Sequence, residues 1–216
     1  MLTRPLVFVL SALIVCSVAA AQPSPLVVKR SDGQIDPLAS NLRAKSLPFA
    51  KEAGLALSTR LRVGFDGRGV WTSFECEDTR LAASVTDPAA ALDGEDQVRV
   101  TLTSPDAKTV HVILSGLGQL RAARVSGSDS TALSADETTS LESAAIVLGE
   151  GAMFVPGKPH QDKLEAWIGS VFLPWSLFGA DGPSAGWTAS FERSDYDSGS
   201  EALWRSGAEP VPLSFE

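Results

Sequence analysis

Two cysteines and two histidines are all that the 216-residue sequence offers to thiol, disulfide or imidazole chemistry. Cys16 falls in an apolar leader, so Cys76 stands alone in the remainder and no internal disulfide is expected. Stability must then come from burial of apolar side chains. Cys76 shares an alternating spacing with Val70, Thr72 and Phe74, which reads as a small buried hydrophobe rather than a reactive thiol. Positive charge is also scarce: 18 Lys and Arg against 26 Asp and Glu give a formal charge of −8. With no basic run to offset it, that charge repels phosphate backbones and excludes nucleic acid as a partner. No H-E-x-x-H motif is present, and the lone histidines His111 and His160 read as surface residues. The expectation is a chain that is not an enzyme.

Long apolar runs are missing as well. The longest, over residues 6–18, is about 13 residues, short of the roughly 20 that span a bilayer. Arg4 precedes it and Ala19-Ala20-Ala21 follows it. That order of charge, apolar stretch and small residues is a secretory signal, with residues 1–21 removed before Gln22. Residues 22–30 read as a linker and residues 31–216 as one domain. The expected location is secreted or periplasmic in a bacterial envelope, with no transmembrane anchor after cleavage.

What the sequence has in quantity is period-two alternation. Leu61, Val63 and Phe65 alternate with Arg60, Arg62 and Gly64, and Asp66-Gly67-Arg68-Gly69 makes a hairpin turn. Val70, Thr72, Phe74 and Cys76 then face one way, with Trp71, Ser73, Glu75 and Glu77 opposite. Val98, Val100 and Leu102 alternate with Gln97, Arg99 and Thr101; Val110, Val112 and Leu114 alternate with His111 and Ile113. Leu164, Ala166, Ile168 and Ser170 make a further set, as do Trp187, Ala189 and Phe191, and Leu213 with Phe215. Such alternation fits antiparallel sheets with one side in the core. Helical signal is thin: a turn or two within residues 41–53, and one turn over residues 174–178 led by Pro174. Residues 126–143, rich in Ser, Thr and Asp, read as a mobile surface excursion. The predicted fold class is all-β, an antiparallel two-sheet β-sandwich of jelly-roll type with little helix.

Two groups of residues could carry binding chemistry. Asp93-Gly94-Glu95-Asp96 places three carboxylates in a turn before a strand, suited to Ca²⁺ with its preference for oxygen ligands. Asp78, Asp93 and Asp96 are the candidate metal ligands; a solvated acidic turn is the other reading. The second group pairs indoles with carboxylates: Trp71 beside Glu75 and Glu77, and Trp167 near Glu165. An indole stacks on a sugar's apolar face while carboxylates accept hydroxyl hydrogen bonds. The competing reading buries those indoles under a covering loop. Glu75 and Glu77, roughly 7 Å apart at Cα on one strand face, read as a solvated pair rather than a glycosidase acid and base.

Five segments, in order, carry a family resemblance. Ser31-Asp32-Gly33-Gln34-Ile35-Asp36 resembles a "DG-x-hydrophobic-D" opening, and residues 59–78, TRLRVGFDGRGVWTSFECED, resemble a conserved hairpin. Residues 94–100, GEDQVRV, are similar to a "D-x-v-E-i-f" strand, and residues 165–178, EAWIGSVFLPWSLF, to a "w-x-v-E-x-a-I-P-w-x-x-L" segment. Residues 186–193 are similar to a "G-x-x-w-x-x-n-f-x-R" strand ending at Arg193. Together they resemble the family 9 carbohydrate-binding modules, which implies a sandwich shared with DOMON-like haem domains, and sugar as the ligand. The family clamps a sugar between two tryptophans. Asp93 stands at the first clamp position, Trp204 is a loose match to the second, and Arg99 replaces the family glutamate.

The resulting expectation is non-catalytic carbohydrate binding, with a Kd of about 0.1–1 mM. The ligand would contact Trp204, Asp93, Glu95, Asp96, Trp71 and Glu75, with Trp204 at the edge of an acidic pocket. Ca²⁺ is the candidate cofactor and no haem is expected. Two alternatives stand beside it. One is an envelope structural or protein-interaction domain that has lost the sugar site. The other is a haem-binding DOMON-type domain, which would need axial ligands among Met153, His111 and His160.

Overall fold

The computed structural model describes residues 24–30, 45–46, 57–78, 81–85, 87, 91–148, 165–197 and 200–216. The signal segment, the 31–36 opening, Met153 and His160 lie outside the described residues. Thirteen strands carry nearly all of the regular structure. They are β1 (Leu26–Arg30), β2 (Lys45–Ser46), β3 (Thr59–Phe65), β4 (Gly69–Asp78), β5 (Gln97–Thr103), β6 (Thr109–Ser115) and β7 (Leu120–Ser126). The others are β8 (Asp129–Ala132), β9 (Glu142–Leu148), β10 (Glu165–Pro174), β11 (Thr188–Asp197), β12 (Ser200–Arg205) and β13 (Val211–Phe215). Among the described residues, helix is limited to α1 (Ala135–Thr139) and a 3-10 turn at Trp175–Phe178. No described helix is long and apolar enough to cross a membrane.

The strands form one open mixed sheet in the order β8-β7-β6-β5-β11-β13-β1-β3-β4-β10-β9, with β12 added on β11 and β2 on β3. All-β architecture is as expected from the alternation. The pairing differs from two separate antiparallel sheets in jelly-roll order, and β1 is the reason. Leu26, Val27 and Val28 run parallel to β13, and then Lys29 and Arg30 run parallel to β3. One strand thus hands the ladder from one limb of the sheet to the other. This also corrects the linker expected over residues 22–30: Val28 is fully buried and Leu26–Arg30 is a structural strand.

The limbs face each other in a sandwich-like way. Val98, Val100, Leu102, Val110, Val112, Leu114 and Phe191 line one side of the core; Leu61, Val63, Val70, Phe74, Cys76, Trp167 and Val171 line the other. Phe74 and Phe191 meet across it with ring centroids 6.4 Å apart. A Cβ on Gly169 of β10 would stand 3.0 Å from Val98 Cγ2, so glycine lets the limbs approach. Trp175, Trp187, Phe178, Phe65 and Phe215 close one end, in edge-to-face contacts of 5.0–5.7 Å.

Two segments depart from the expected reading. Residues 126–143 form ordered structure: the end of β7, β8, and α1 with its start capped. Ser134 and Glu137 make a reciprocal capping box, and Glu137 also pairs with Arg124. The spacing Ser134-x-x-Glu137 is itself a helix-start signal. The register of β10 is the second departure. Trp167, not Ala166 or Ile168, pairs with Cys76 and so faces the core.

The end of the core opposite the aromatic cluster is closed by charge. Continuing the Trp187, Ala189, Phe191 alternation by two residues puts Arg193 and then Asp195 on the core face of β11. Arg193 is fully buried. Its Nη2 donates to Asp195 Oδ2 at 2.7 Å and to Asp78 Oδ2 at 3.3 Å, and its Nη1 donates to Thr59 Oγ1 at 3.1 Å. The guanidinium also lies over the Trp204 ring, 4.3 Å from its centroid. One side chain thereby joins β11 to β3 and β4 of the other limb. Removing one partner of a buried ionic network costs about 3–5 kcal/mol, because the remaining charges keep their desolvation penalty. Arg193→Met should therefore lower the unfolding free energy by about that amount at pH 7. The loss should shrink at low pH, where the stranded aspartates take up protons; urea denaturation at both pH values measures it.

Candidate functional site

Two regions gather the residues singled out in the sequence, and they divide the acidic turn between them. The first is the buried ionic centre. Asp78, Asp96 and Asp195 bring one carboxylate oxygen each within 4.8 Å of one another. Asp96 is held by backbone donors: Tyr196 N–H to Oδ1 at 2.7 Å and Ala82 N–H to Oδ2 at 2.5 Å. Burial pushes the Asp96 carboxyl above the usual carboxylate range, against those two backbone hydrogen bonds. Cys76 lies in the same field, and burial pushes its thiol up to about 12. It therefore stays protonated and acts as core, in accord with its spacing. Of the expected metal ligands, Asp78 and Asp96 come together; Asp93 is exposed and separate, and Asp195 stands in its place. In kind the donors suit a hard cation, although Arg193 already stands beside two of them.

Glu95 is buried too, and serves the chain. It accepts from Ser84 N at 2.7 Å, Ser84 Oγ at 2.8 Å and Val85 N at 3.3 Å. Glu95 and Asp96 thus fasten residues 81–85 to the start of β5, and neither is open to solvent.

None of the expected indole platforms is open. Trp204 is 1% exposed, because it pairs with Arg193 across β11 and β12 and so shares the core face. The acidic pocket expected with Trp204 at its edge is replaced by a sealed centre. Trp71 is also 1% exposed. It points away from the core but lies against β3: a Cβ on Gly64 would stand 2.5 Å from its ring. Glu75, on the same face, is clamped between Arg62, which donates to its Oε1, and Arg60. The Arg60 Nε is 2.7 Å from Oε2, though its N–H is not aligned for a hydrogen bond. Glu77 accepts from Ser58 N at 2.9 Å. These carboxylates are therefore ion-paired or backbone-bonded, not a solvated pair.

The second region is a cleft of about 500 Å³ on the outer face of β5, β6, β7 and β11. Its floor and walls include Gln97, Arg99, His111, Ile113, Arg121 and Glu192, with Ala91, Leu92 and Asp93 at the rim. Strand register explains the grouping. Glu192 pairs with Arg99, Arg99 with Ile113, and Ile113 with Arg121, so one rung crosses all four strands. Thr101 Oγ1 lies 2.8 Å from His111 Nδ1, which fixes the ring and leaves Nε2 for another partner. Burial, then the Arg99 charge, holds the His111 imidazole below its usual value against an opposing pull from Glu192. It is therefore neutral at pH 7. Asp93 and Arg99, the positions at which the family resemblance places a clamp tryptophan and a glutamate, line this one cleft.

Gly182-Pro183-Ser184-Ala185-Gly186 spells G-x-S-x-G, a pattern that in hydrolases marks a strand-to-helix elbow. Here it sits in an irregular segment before β11, and Ser184 Oγ accepts from Trp187 Nε1 at 3.3 Å. His111, the one histidine among the described residues, is on the outer face of β6, in the other region. That segment has the spelling without the elbow.

No protein-family model and no curated protein matches the sequence. Solved structures do match the fold. A candidate carbohydrate-binding protein from Bacteroides uniformis superimposes with a TM-score of 0.69 at 12% identity, over 90% of this chain and 100% of that one. A family 9 carbohydrate-binding module from Caldicellulosiruptor kristjanssonii, solved with glucose, gives 0.57 at 11% identity, over 89% and 97% of the two chains. A module of that family from the same organism, solved with cellotriose, gives 0.56 at 11% identity, over 89% and 95%. The kinship with DOMON-like haem domains gains no support from these matches. The chain has the fold of family 9 carbohydrate-binding modules.

Proposed function

We propose that this chain is a non-catalytic carbohydrate-binding domain whose glycan lies in the cleft over β5, β6, β7 and β11. The observation that carries the reading is the convergence of Asp93 and Arg99 on a single open cleft. Two neighbours in fold, carbohydrate-binding modules solved with glucose and cellotriose, and a third that is a candidate carbohydrate-binding protein support it. The cleft has the parts a sugar needs. Ile113 offers an apolar floor, while Gln97, His111, Glu192 and the arginines offer donors and acceptors for hydroxyls. Export to the cell envelope belongs to the same reading and rests on the leader over residues 1–21.

The test is calorimetric titration of soluble neutral and acidic oligosaccharides. A Kd of about 0.1–1 mM is expected for the best ligand, about −4 to −5.5 kcal/mol. Ile113→Arg, which fills the floor from an outward-facing strand position, should weaken binding at least about tenfold, near 1.4 kcal/mol. No heat with any glycan at 10-fold higher sugar, about 10 mM, would contradict the proposal and leave an interaction domain as the better reading.

We also propose Ca²⁺ for the buried centre, with Asp195 replacing Asp93 as the third ligand beside Asp78 and Asp96. Arg193 offsets only one of three buried carboxylates, and a divalent ion would offset the rest. Saturating Ca²⁺ should raise Tm by about 5 °C over the chelated protein. An unchanged Tm would leave Arg193 as the centre's cation.

A further inference from the structure

We propose that the cleft selects sugars bearing a carboxylate, the uronic acid residues of an acidic glycan; this rests on the glycan-binding reading above. Neutral sugars are held chiefly by stacking on exposed aromatic rings. All five tryptophans are 2% exposed or less, and among the described residues no Trp, Tyr or Phe side chain lines the cleft. The binding energy there has to come from polar groups, and the strongest of these are two guanidinium forks.

Arg99 and Arg121 stand on the same rung either side of Ile113. Two strand spacings separate them, about 10 Å between backbones. That leaves room for one pyranose ring on the Ile113 floor, with a fork at each side. Arg121 is anchored by carbonyl oxygens, its Nη1 on Leu120 O at 2.9 Å and its Nη2 on Asp87 O at 3.4 Å. Anchoring of that kind reduces the entropy lost when it binds a ligand.

The negative groups of the cleft among the described residues are Glu192 and Asp93. Glu192 is engaged from its far side, Oε1 lying 3.0 Å from Arg205 Nε. Its Oε2 is 3.7 Å from Arg99 Nη1, an ion pair beyond hydrogen-bond range, which a carboxylate in direct hydrogen-bond contact with the fork would outcompete. Asp93 sits exposed at the rim, where solvent screens it. On a chain of net charge −8, two arginines against two acids leave this cleft near neutral. A planar carboxylate matches the guanidinium fork in two parallel hydrogen bonds, which a hydroxyl cannot do.

The experiment compares four trisaccharides by titration calorimetry on the same protein: trigalacturonic acid, its methyl ester, cellotriose and a sulfated trisaccharide. The acid and the ester share every hydroxyl and differ in charge. Binding of the acid at least tenfold tighter than the ester is expected. That ratio should collapse toward one in Arg99→Gln and in Arg121→Gln, each first shown by thermal melting to be folded. Should either variant fail to fold, the acid-to-ester ratio of the unaltered protein decides alone. Equal affinity for acid, ester and cellotriose would overturn the selectivity and leave glycan binding standing. A sulfated trisaccharide bound more tightly than the acid would also overturn it, making the cleft a general anion site. No binding of any of these would bring down the glycan-binding reading itself.

Discussion

A single buried guanidinium holds the two limbs of this sheet together where apolar packing stops. Arg193 reaches from β11 to Thr59 and Asp78 on the opposite limb and stacks on Trp204. Desolvating one cation with three carboxylates is costly, and a buried pair is often no better for stability than hydrophobic residues of similar size. Its effect here is positional. The centre fixes the end of β11, and Asp96 carries that constraint outward through Tyr196 and Ala82. Glu95 ties down residues 84 and 85. Asp93, just before these anchors, is thereby set at the rim of the cleft. The acidic turn has two functions divided by burial: the buried acids hold the loop, and the exposed one borders the open surface.

The fold was largely legible because its strands alternate cleanly. Val98, Val100 and Leu102, or Trp187, Ala189 and Phe191, state their inner face outright, and the structure buries all six. The reading failed where both faces are covered. Every residue of β4 is buried, so alternation of Trp71, Ser73, Glu75 and Glu77 with apolar neighbours says nothing about solvent. β10 is read out of phase for the same reason: Ala166, Trp167 and Ile168 are all buried, and only pairing with Cys76 shows which one faces the core. The wrapped mixed pairing of β1 was beyond reach, since five residues that divide between two partners carry no pattern of their own.

The site was legible in halves. Asp78 and Asp96 were found as acidic residues at strand ends, while Asp195 was reachable by extending the β11 alternation past Phe191. Arg99 and His111 lie on the two arms of a hairpin whose turn, at Ser104-Pro105-Asp106, is plain in the sequence, so their shared face follows from period two. Arg121 joins them across the next hairpin, β6–β7, and only Glu192 joins through long-range register. Composition misled about the tryptophans. An indole next to a carboxylate suggests a sugar platform, yet in a small sheet whose limbs must close tightly, large rings are what fill the ends. Four buried indoles pack in the core and the fifth, Trp71, is buried against β3, so none is open to a ligand.

The surface proposed for the glycan is the outer face of β5, β6, β7 and β11. Backbone amide chemical shifts of isotopically labelled protein, followed as trigalacturonic acid or cellotriose is added, test it most directly. Graded shifts concentrated at Arg99, His111, Ile113, Arg121 and Glu192 are expected, with the Trp71–Glu75 face and the Arg193 centre still. Shifts concentrated on β3, β4 and β10, or none at all, would contradict it.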